Sequence, residues 1–314
     1  MQTQTLGATD ITVPALGIGT WAWGDSFFWS YGKDYDESQL REAFQAAVTA
    51  GANFFDTAEI YGLGESEKLI GRFMAETDAP VYVATKYFPL PWRFNKAAVA
   101  DALTASLKRL QLPIVDLYQV HWPFDFFMGQ PALMDALADE VQQGRIKAVG
   151  VSNYSADQLK QSHELLAKRG IPLAVNQMQY SLLARKIETN GVLDTARSLG
   201  VTILAYSPLA QGLLTGKYSP DQTTKPLGAR SLDPRFSEKG LQKLAPVLDT
   251  LNAIAAATDK TPAQVSLNWL MSQGAIPIPG AKNASQAAQN AGALGWNLSP
   301  EDCDRLSAVT EAWR

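Results

Sequence analysis

The sequence has little of what several common kinds of functional site require. It carries one cysteine, Cys303, so an intrachain disulfide is excluded. Glu301, Asp302 and Asp304 surround that thiol with carboxylates that disfavour its reactive anion, and it reads as an ordinary cysteine. There are two histidines, His121 and His163, too few for a histidine metal triad, and no metal is expected. His163, between Ser162 and Glu164, reads as a surface residue. No apolar run approaches the ~18 residues of a membrane span. Nor is there an excess of one charge. The 27 Lys and Arg nearly balance 31 Asp and Glu, a net charge of −4 that gives nucleic acid or an anionic membrane no long-range attraction. Met1-Gln-Thr-Gln-Thr-Leu-Gly7 lacks the basic and apolar parts of a leader. A cytoplasmic location is expected, or a plastid stroma if a transit peptide has been removed. Without a leader, the glycosylation-like triplets at Asn153, Asn283 and Asn297 carry no meaning.

What is present is a regular alternation. Thr5-Leu-Gly-Ala-Thr-Asp-Ile-Thr-Val-Pro14 reads as a β-hairpin around a Gly-Ala-Thr-Asp turn. Eight short apolar runs follow, at Leu16–Thr20, Asn53–Thr57, Val81–Thr85, Val115–Val120, Ile146–Val151, Leu173–Val175, Val201–Ala205 and Ala275–Ile278. Helical spacing lies between them. Leu40, Phe44, Ala47 and Val48 share one face, as do Val99, Leu103, Leu107 and Leu110. Thr261-Pro262 suits a helix start, and Gly144, Gly170, Gly200 and Gly274 suit helix stops.

Alternating strands and helices pair in parallel with right-handed crossovers. Eight such units with two-sided apolar strands predict an α/β fold: a (β/α)8 TIM barrel with an N-terminal hairpin, one domain over residues 1–314. Two stretches read as long loops at the C-terminal face, the aromatic-rich Trp23–Asp36 and the Gly-, Pro- and Ser-rich Ser207–Lys239.

In such a barrel the chemistry lies at the C-terminal strand ends. The second run ends at Asp56, with Tyr61 in the loop behind it; the third at Lys86; the fourth at His121. Ser152 and Asn153 follow the fifth run, Gln177 the sixth, Tyr206 the seventh and Lys282 the eighth. A phenol is a weak acid, and a nearby ammonium lowers its pKa towards the working range. Lys86 supplies that charge, Asp56 keeps the lysine protonated, and His121 donates a hydrogen bond to an oxygen gaining negative charge. A proton donor and a polarising donor aimed at one oxygen suit carbonyl reduction. No hydrolytic nucleophile–base pair is present.

These residues lie in segments that resemble the aldo-keto reductase superfamily over nearly the whole chain. The segments are Asn53-Phe-Phe-Asp-Thr-Ala-Glu-Ile-Tyr-Gly62, Ala84-Thr-Lys86, Asp116-Leu-Tyr-Gln-Val-His121, Gly150-Val-Ser-Asn153, Asn176-Gln177, Ala205-Tyr-Ser-Pro-Leu209 and Ile278-Pro-Gly-Ala-Lys282. The resemblance implies a catalytic tetrad of Asp56, Tyr61, Lys86 and His121, with Tyr61 the general acid. It implies that Ser152, Asn153 and Gln177 hold a nicotinamide carboxamide, that Tyr206 stacks beneath the ring, and that Gly19, Thr20, Trp21 and Asp56 also touch the cofactor. The residue types agree, because Ser, Asn and Gln offer the donors and acceptors an amide needs. Ser207, Pro208, Leu209, Gln211, Gly212, Leu214 and Lys217 suit a wrap around the pyrophosphate. Gly280, Ala281 and Lys282, with Gln286, Gln289 and Asn290 on the following helix, suit an adenosine 2′-phosphate. Many family members have lysine and arginine where this chain has Gly280 and Gln286, with Lys282 the available cation. NADPH is the expected cofactor, with NADH tolerated.

Gly17-Ile-Gly-Thr-Trp-Ala22 fits a dinucleotide fingerprint, yet no helix pattern follows it. Gly216-Lys217 resembles a phosphate-binding loop with the wrong spacing. Both are discarded. The substrate is expected to be a small aldehyde or ketone, apolar or aromatic, a pyridoxal-like aldehyde among the options. Its pocket is assigned to Trp21, Trp23, Tyr61, Trp92, His121 and Trp122, with Phe27, Phe28, Trp29 and Phe124 nearby. A monomer is the expected state. The alternative that the resemblance allows is a non-enzymatic, nucleotide-sensing subunit like the potassium-channel β subunits.

Overall fold

The structure is a computed structural model, and it describes residues 2–124, 128–218 and 233–314. The chain opens with an antiparallel hairpin, β1 (Thr3–Thr5) and β2 (Thr12–Pro14). Eight strands follow: β3 (Ile18–Gly19), β4 (Phe54–Asp56), β5 (Tyr82–Tyr87), β6 (Val115–Val120), β7 (Ile146–Ser152), β8 (Leu173–Gln179), β9 (Thr202–Tyr206) and β10 (Ala275–Pro277). They pair in chain order, every pair parallel. The two edges of the sheet meet. Gly17 N–H donates to Pro277 O and Gly19 N–H to Pro279 O, each at 3.0 Å, and Gly19 forms a parallel bridge with Gly280. A Cβ at Gly19 would stand 2.8 Å from Ile278 O, so glycine is what lets the seam approach. This curled α/β arrangement is consistent with a (β/α)8 barrel.

Helices cover the outside: α1 (Glu37–Thr49), α2 (Glu65–Met74), α3 (Lys96–Leu110), α4 (Gln130–Gln142), α5 (Ala156–Ala167) and α6 (Val192–Ser198), then α7 (Glu238–Thr258), α8 (Pro262–Ser272), α9 (Ala284–Ala291) and α10 (Pro300–Val309). Their starts follow from local chemistry. Asp36 with Gln39, Ser155 with Gln158 and Thr261 with Gln264 each satisfy one another's backbone N–H groups at the first turns of α1, α5 and α8. Gly144, Gly170, Gly200 and Gly274 adopt left-handed φ just beyond α4, α5, α6 and α8. The stretch Ser207–Lys239, predicted irregular, contains 3-10 turns at Ala210–Thr215 and Pro234–Phe236 and the start of α7; its residues 219–232 lie outside the described residues. Among the described residues no helix is long and apolar enough to cross a membrane, and no cluster of His, Cys, Asp or Glu could hold a metal ion.

The strands carry two kinds of inward-facing layer, because alternate residues point the same way. Phe54, Ala84, Leu117, Ala148, Val175, Leu204 and Ile276, one from each of β4 to β10, form an apolar interior with Leu6, Ile11 and Val13 of the hairpin. The hairpin therefore packs against that interior from the end where the strands begin. Two residues further along β4 to β9 the interior positions are Asp56, Lys86, Gln119, Gly150, Gln177 and Tyr206. The polar layer is thus one period above the apolar one.

Buried charge ties the helices to this layer. Glu67 of α2 is fully buried; it accepts from Thr85 Oγ1 and from Arg109 Nε of α3, both at 2.6 Å. Thr85 immediately precedes Lys86. Arg109→Met leaves that carboxylate without its cation and is expected to cost ~3–5 kcal/mol. Urea unfolding checks this, and an unchanged midpoint would show that the pair contributes nothing.

Candidate active site

The polar layer brings Asp56, Tyr61, Lys86 and His121 together. Lys86 is fully buried, and its ammonium donates to Asp56 Oδ2 at 2.5 Å, to Thr57 O at 2.7 Å and to Tyr61 Oη at 3.4 Å. Three hydrogens therefore meet three acceptors, and the charge has one direction. Tyr61 does not belong to a strand. It begins a 3-10 turn, Tyr61–Gly64, whose Gly62 and Leu63 have left-handed φ of 55° and 55°, and the chain there turns into α2. The Lys86 nitrogen is 4.9 Å from the centroid of the Tyr61 ring. His121 follows β6, and its ring meets that of Tyr61 edge-on at 5.6 Å.

Electrostatics set the protonation states. Burial pushes the Tyr61 phenol above its ordinary value, and the Lys86 ammonium opposes the rise without cancelling it. The sequence-based expectation of a lowered phenol pKa is thereby corrected: desolvation of the hydroxyl outweighs one ammonium. Burial works against the Lys86 charge, yet Asp56 and Tyr61 together hold it above the usual range. His121 is depressed to about 3, by burial first and by Lys86 second, so the imidazole is neutral at physiological pH. Its Nδ1 is buried without a hydrogen-bond partner among the described residues.

Beside these groups lies a second polar set. Ser152 Oγ donates to Gln177 O at 3.0 Å; Asn153 Nδ2 donates to Ser152 Oγ at 3.0 Å and to His121 O at 3.3 Å. Tyr206 Oη donates to Asn153 Oδ1 at 3.0 Å. Asn153 holds a left-handed φ of 65°, a strained setting for a non-glycine residue. Gln177 Nε2 donates to Asp56 Oδ1 at 2.7 Å, which joins this set to the first. Thr20 joins it too, through its N–H and hydroxyl to Asp56 O at 2.9 and 3.0 Å, beside Gly19 at the seam.

The loop behind β9 turns repeatedly through the left-handed region, with φ of 51° at Ser207, 48° at Ala210, 58° at Gln211 and 103° at Gly212. Successive amides in such a loop make a concavity suited to anions. Pro208 and Leu209 belong to the same turn. Lys217 is exposed near its end, whereas Leu214 is fully buried and has only its backbone to offer. Behind β10, Lys282 N–H donates to Gln286 Oε1 at 2.8 Å, and Asn283 caps α9 by accepting from Gln286 N–H at 2.9 Å. The Lys282 ammonium lies 4.7 Å from the Trp29 ring and 4.3 Å from Tyr35, a cation held on two aromatic faces of the 23–36 loop. Asn290 Nδ2 donates to Gly280 O at 3.2 Å, Ala281 is buried, and exposed Gln289 accepts through its backbone from Gln264 Nε2 at 3.0 Å.

The aromatic residues divide. Trp21 is 43% exposed, 6.5 Å from Tyr61 and edge-on to Trp29 at 5.3 Å. Trp122 is 39% exposed and stacks on Phe124 at 6.0 Å; Trp92 is 67% exposed on the loop after β5, and Phe27 and Phe28 are exposed beyond Trp21. Trp23 is different. It is fully buried between Phe55 and Phe73, with its indole N–H on Ala281 O at 2.8 Å, and cannot line a pocket. Aromatic clustering in sequence did not distinguish an inward tryptophan from an outward one. Sequence reasoning also missed Gln119, whose Nε2 donates to Asp56 Oδ1 at 3.0 Å, and Glu59, paired with Arg93 beside Phe88 N–H. A polar residue two positions before His121 on a buried strand was the available signal for the first.

The model of the Aldo/keto reductase family matches residues 15–311. The chain is 39% identical to the chloroplastic pyridoxal reductase of Arabidopsis thaliana over 93% of this chain and 82% of that one. It is 29% identical to the NADH-specific methylglyoxal reductase of Escherichia coli over 98% of each. A glycerol dehydrogenase structure from Gluconobacter oxydans shares 29% identity at a TM-score of 0.86, covering 99% of this chain and 95% of that one. The chain belongs to the aldo/keto reductase family and is an NAD(P)H-dependent oxidoreductase.

Proposed function

We propose that this protein reduces aldehydes or ketones to alcohols with NADPH, on a closed single-domain (β/α)8 barrel with Tyr61 as general acid. The observation that carries this reading is the Tyr61 hydroxyl 3.4 Å from a fully buried lysine ammonium, with a neutral imidazole beside it. The donor set fits a dinucleotide. Ser152, Asn153 and Gln177 present both donors and acceptors, as a carboxamide requires; Tyr206 offers an aromatic face; the left-handed turn behind β9 suits a pyrophosphate; and Lys282 suits a 2′-phosphate. Bound there, a reduced nicotinamide supplies the hydride that a carbonyl carbon accepts.

The chain's own groups handle the oxygen. Tyr61 gives its phenolic proton to the carbonyl oxygen as negative charge develops, and the Lys86 ammonium stabilises the phenolate left behind. Asp56 holds that ammonium in place. His121, neutral, donates an N–H to the same oxygen and so polarises the carbonyl without competing for the proton. Trp21 and Trp122 offer apolar walls beside Tyr61 and His121, which favours planar aromatic aldehydes; similarity to a pyridoxal reductase supports that class. Electrostatics directed at proton transfer support an enzyme rather than a nucleotide sensor.

Three outcomes are expected. Tyr61→Phe should lower kcat by ~10²–10⁴-fold with NADPH affinity nearly unchanged, read by steady-state turnover and by fluorescence titration. Persistent turnover would remove Tyr61 as the acid. Because Tyr61 stays protonated to beyond the ordinary phenol value and His121 titrates near 3, kcat for reduction should be flat from about pH 5 to pH 9 and fall only above the phenol range. A decline centred near pH 6.5 would instead identify an ionising histidine. Lys282→Met should weaken NADPH by ~10-fold and leave NADH within ~2-fold, since only the former carries the phosphate. Equal losses for both would place the 2′-phosphate elsewhere.

A further inference from the structure

One polar side chain in the layer takes no part in the mechanism above. Gln119 is fully buried on β6, one interior position below His121. Its Nε2 donates to Asp56 Oδ1 at 3.0 Å, and its Oε1 accepts from Gln177 Nε2 at 3.2 Å. Gln177 Nε2 donates to Asp56 Oδ1 as well, at 2.7 Å. The three side chains close a ring of hydrogen bonds between β4, β6 and β8, which are alternate strands of the sheet.

The ring decides which way two amides face. If Gln177 were turned over, its oxygen would confront the Asp56 carboxylate and the Gln119 oxygen with no hydrogen between them. In the observed sense both hydrogens of Gln177 Nε2 are committed inside the ring, and Oε1 is the hydrogen-bonding function that remains. A second observation shows that space is kept for this. β7 runs between β6 and β8, and its interior position in the layer is Gly150. A Cβ there would stand 2.9 Å from Gln119 Cγ and 2.5 Å from Val175 Cγ2. Any larger residue would force the Val175 or Gln119 side chain to shift.

We propose that Gln119 is a positioning residue that, through Asp56 and Gln177, holds the Gln177 carboxamide with its oxygen presented to an amide N–H donor of the cofactor. The inference rests on the reductase reading, in which Gln177 meets the nicotinamide carboxamide. Gln119 thereby couples two functions: the carboxylate that orients Lys86 and the amide that selects the carboxamide are fixed by the same buried side chain.

The test compares NADP+ with its 3-acetylpyridine analogue, whose acetyl group replaces the carboxamide and has no N–H to give. Binding to the full chain is read by quenching of tryptophan fluorescence, with no turnover involved. The parent protein is expected to prefer NADP+ by about 10-fold, the worth of one well-placed hydrogen bond. Gln119→Leu, similar in volume and without an amide, should narrow that preference to within about 2-fold by weakening NADP+ alone, in a variant that still melts cooperatively. Gly150→Ala should narrow it in the same direction. Should Gln119→Leu not fold, Gln119→Met takes its place in the same comparison. A preference kept intact in the folded variant overturns the positioning role and leaves the reductase reading standing. Equal weakening of both ligands marks general loosening of the site and also overturns it. A parent protein that binds neither NADP+ nor NAD+ overturns the reductase reading and this inference together.

Discussion

A lysine ammonium inside a barrel is costly to desolvate, and the upper half of this molecule is arranged around that cost. Lys86 is offset by Asp56, and Asp56 in turn accepts from Gln119 and Gln177 on its other oxygen. No hydrogen of the ammonium and neither oxygen of the carboxylate lacks a partner. A buried pair with incomplete partners would destabilise the fold; with complete ones it is rigid. The backbone contributes as well, since Thr57 O takes a second lysine hydrogen bond, with Tyr61 Oη as the third acceptor. Tyr61 meets this pair directly, and Gln119 and Gln177 meet it through Asp56.

Tyr61 and His121 feel that charge in opposite ways. For the phenol, the ammonium makes ionisation less costly than burial alone would allow, yet burial still holds the group above its ordinary range. For the imidazole, the same ammonium joins burial in excluding a second positive charge. One cation therefore stands beside a protonated phenol and a neutral imidazole.

The alternation of strand residues explains how polar chemistry coexists with a stable interior. Phe54, Ala84, Leu117 and Val175 fill the barrel beside the hairpin, and Asp56, Lys86, Gln119 and Gln177 follow each of them at the next inward position. The apolar layer excludes water from below, which strengthens the electrostatics above it. Glu67 and Arg109 extend the same logic outward: a carboxylate buried under α2 is neutralised from α3 and grips Thr85 beside the lysine.

Apart from strand bounds, such as those of a sixth run read as Leu173–Val175 that extends to Gln179, the order of the strands, the helix stops and the polar residues at the strand ends were written locally. They depend on periodicity, on capping chemistry and on residue type, all properties of short segments. The family resemblance was legible for the same reason, as an ordered series of short motifs. Three things were decided only by the tertiary structure. Trp23 and Trp21 are two residues apart in one aromatic stretch, yet the first is core and the second is rim, because burial depends on what the loop packs against. The phenol of Tyr61 rises rather than falls, since desolvation is a sum over every surrounding atom. And Gln119 meets Gln177 across 58 positions of chain through the space left by a glycine on the strand between them. A contact of that kind exists only once the sheet has curled, so no local pattern could announce it.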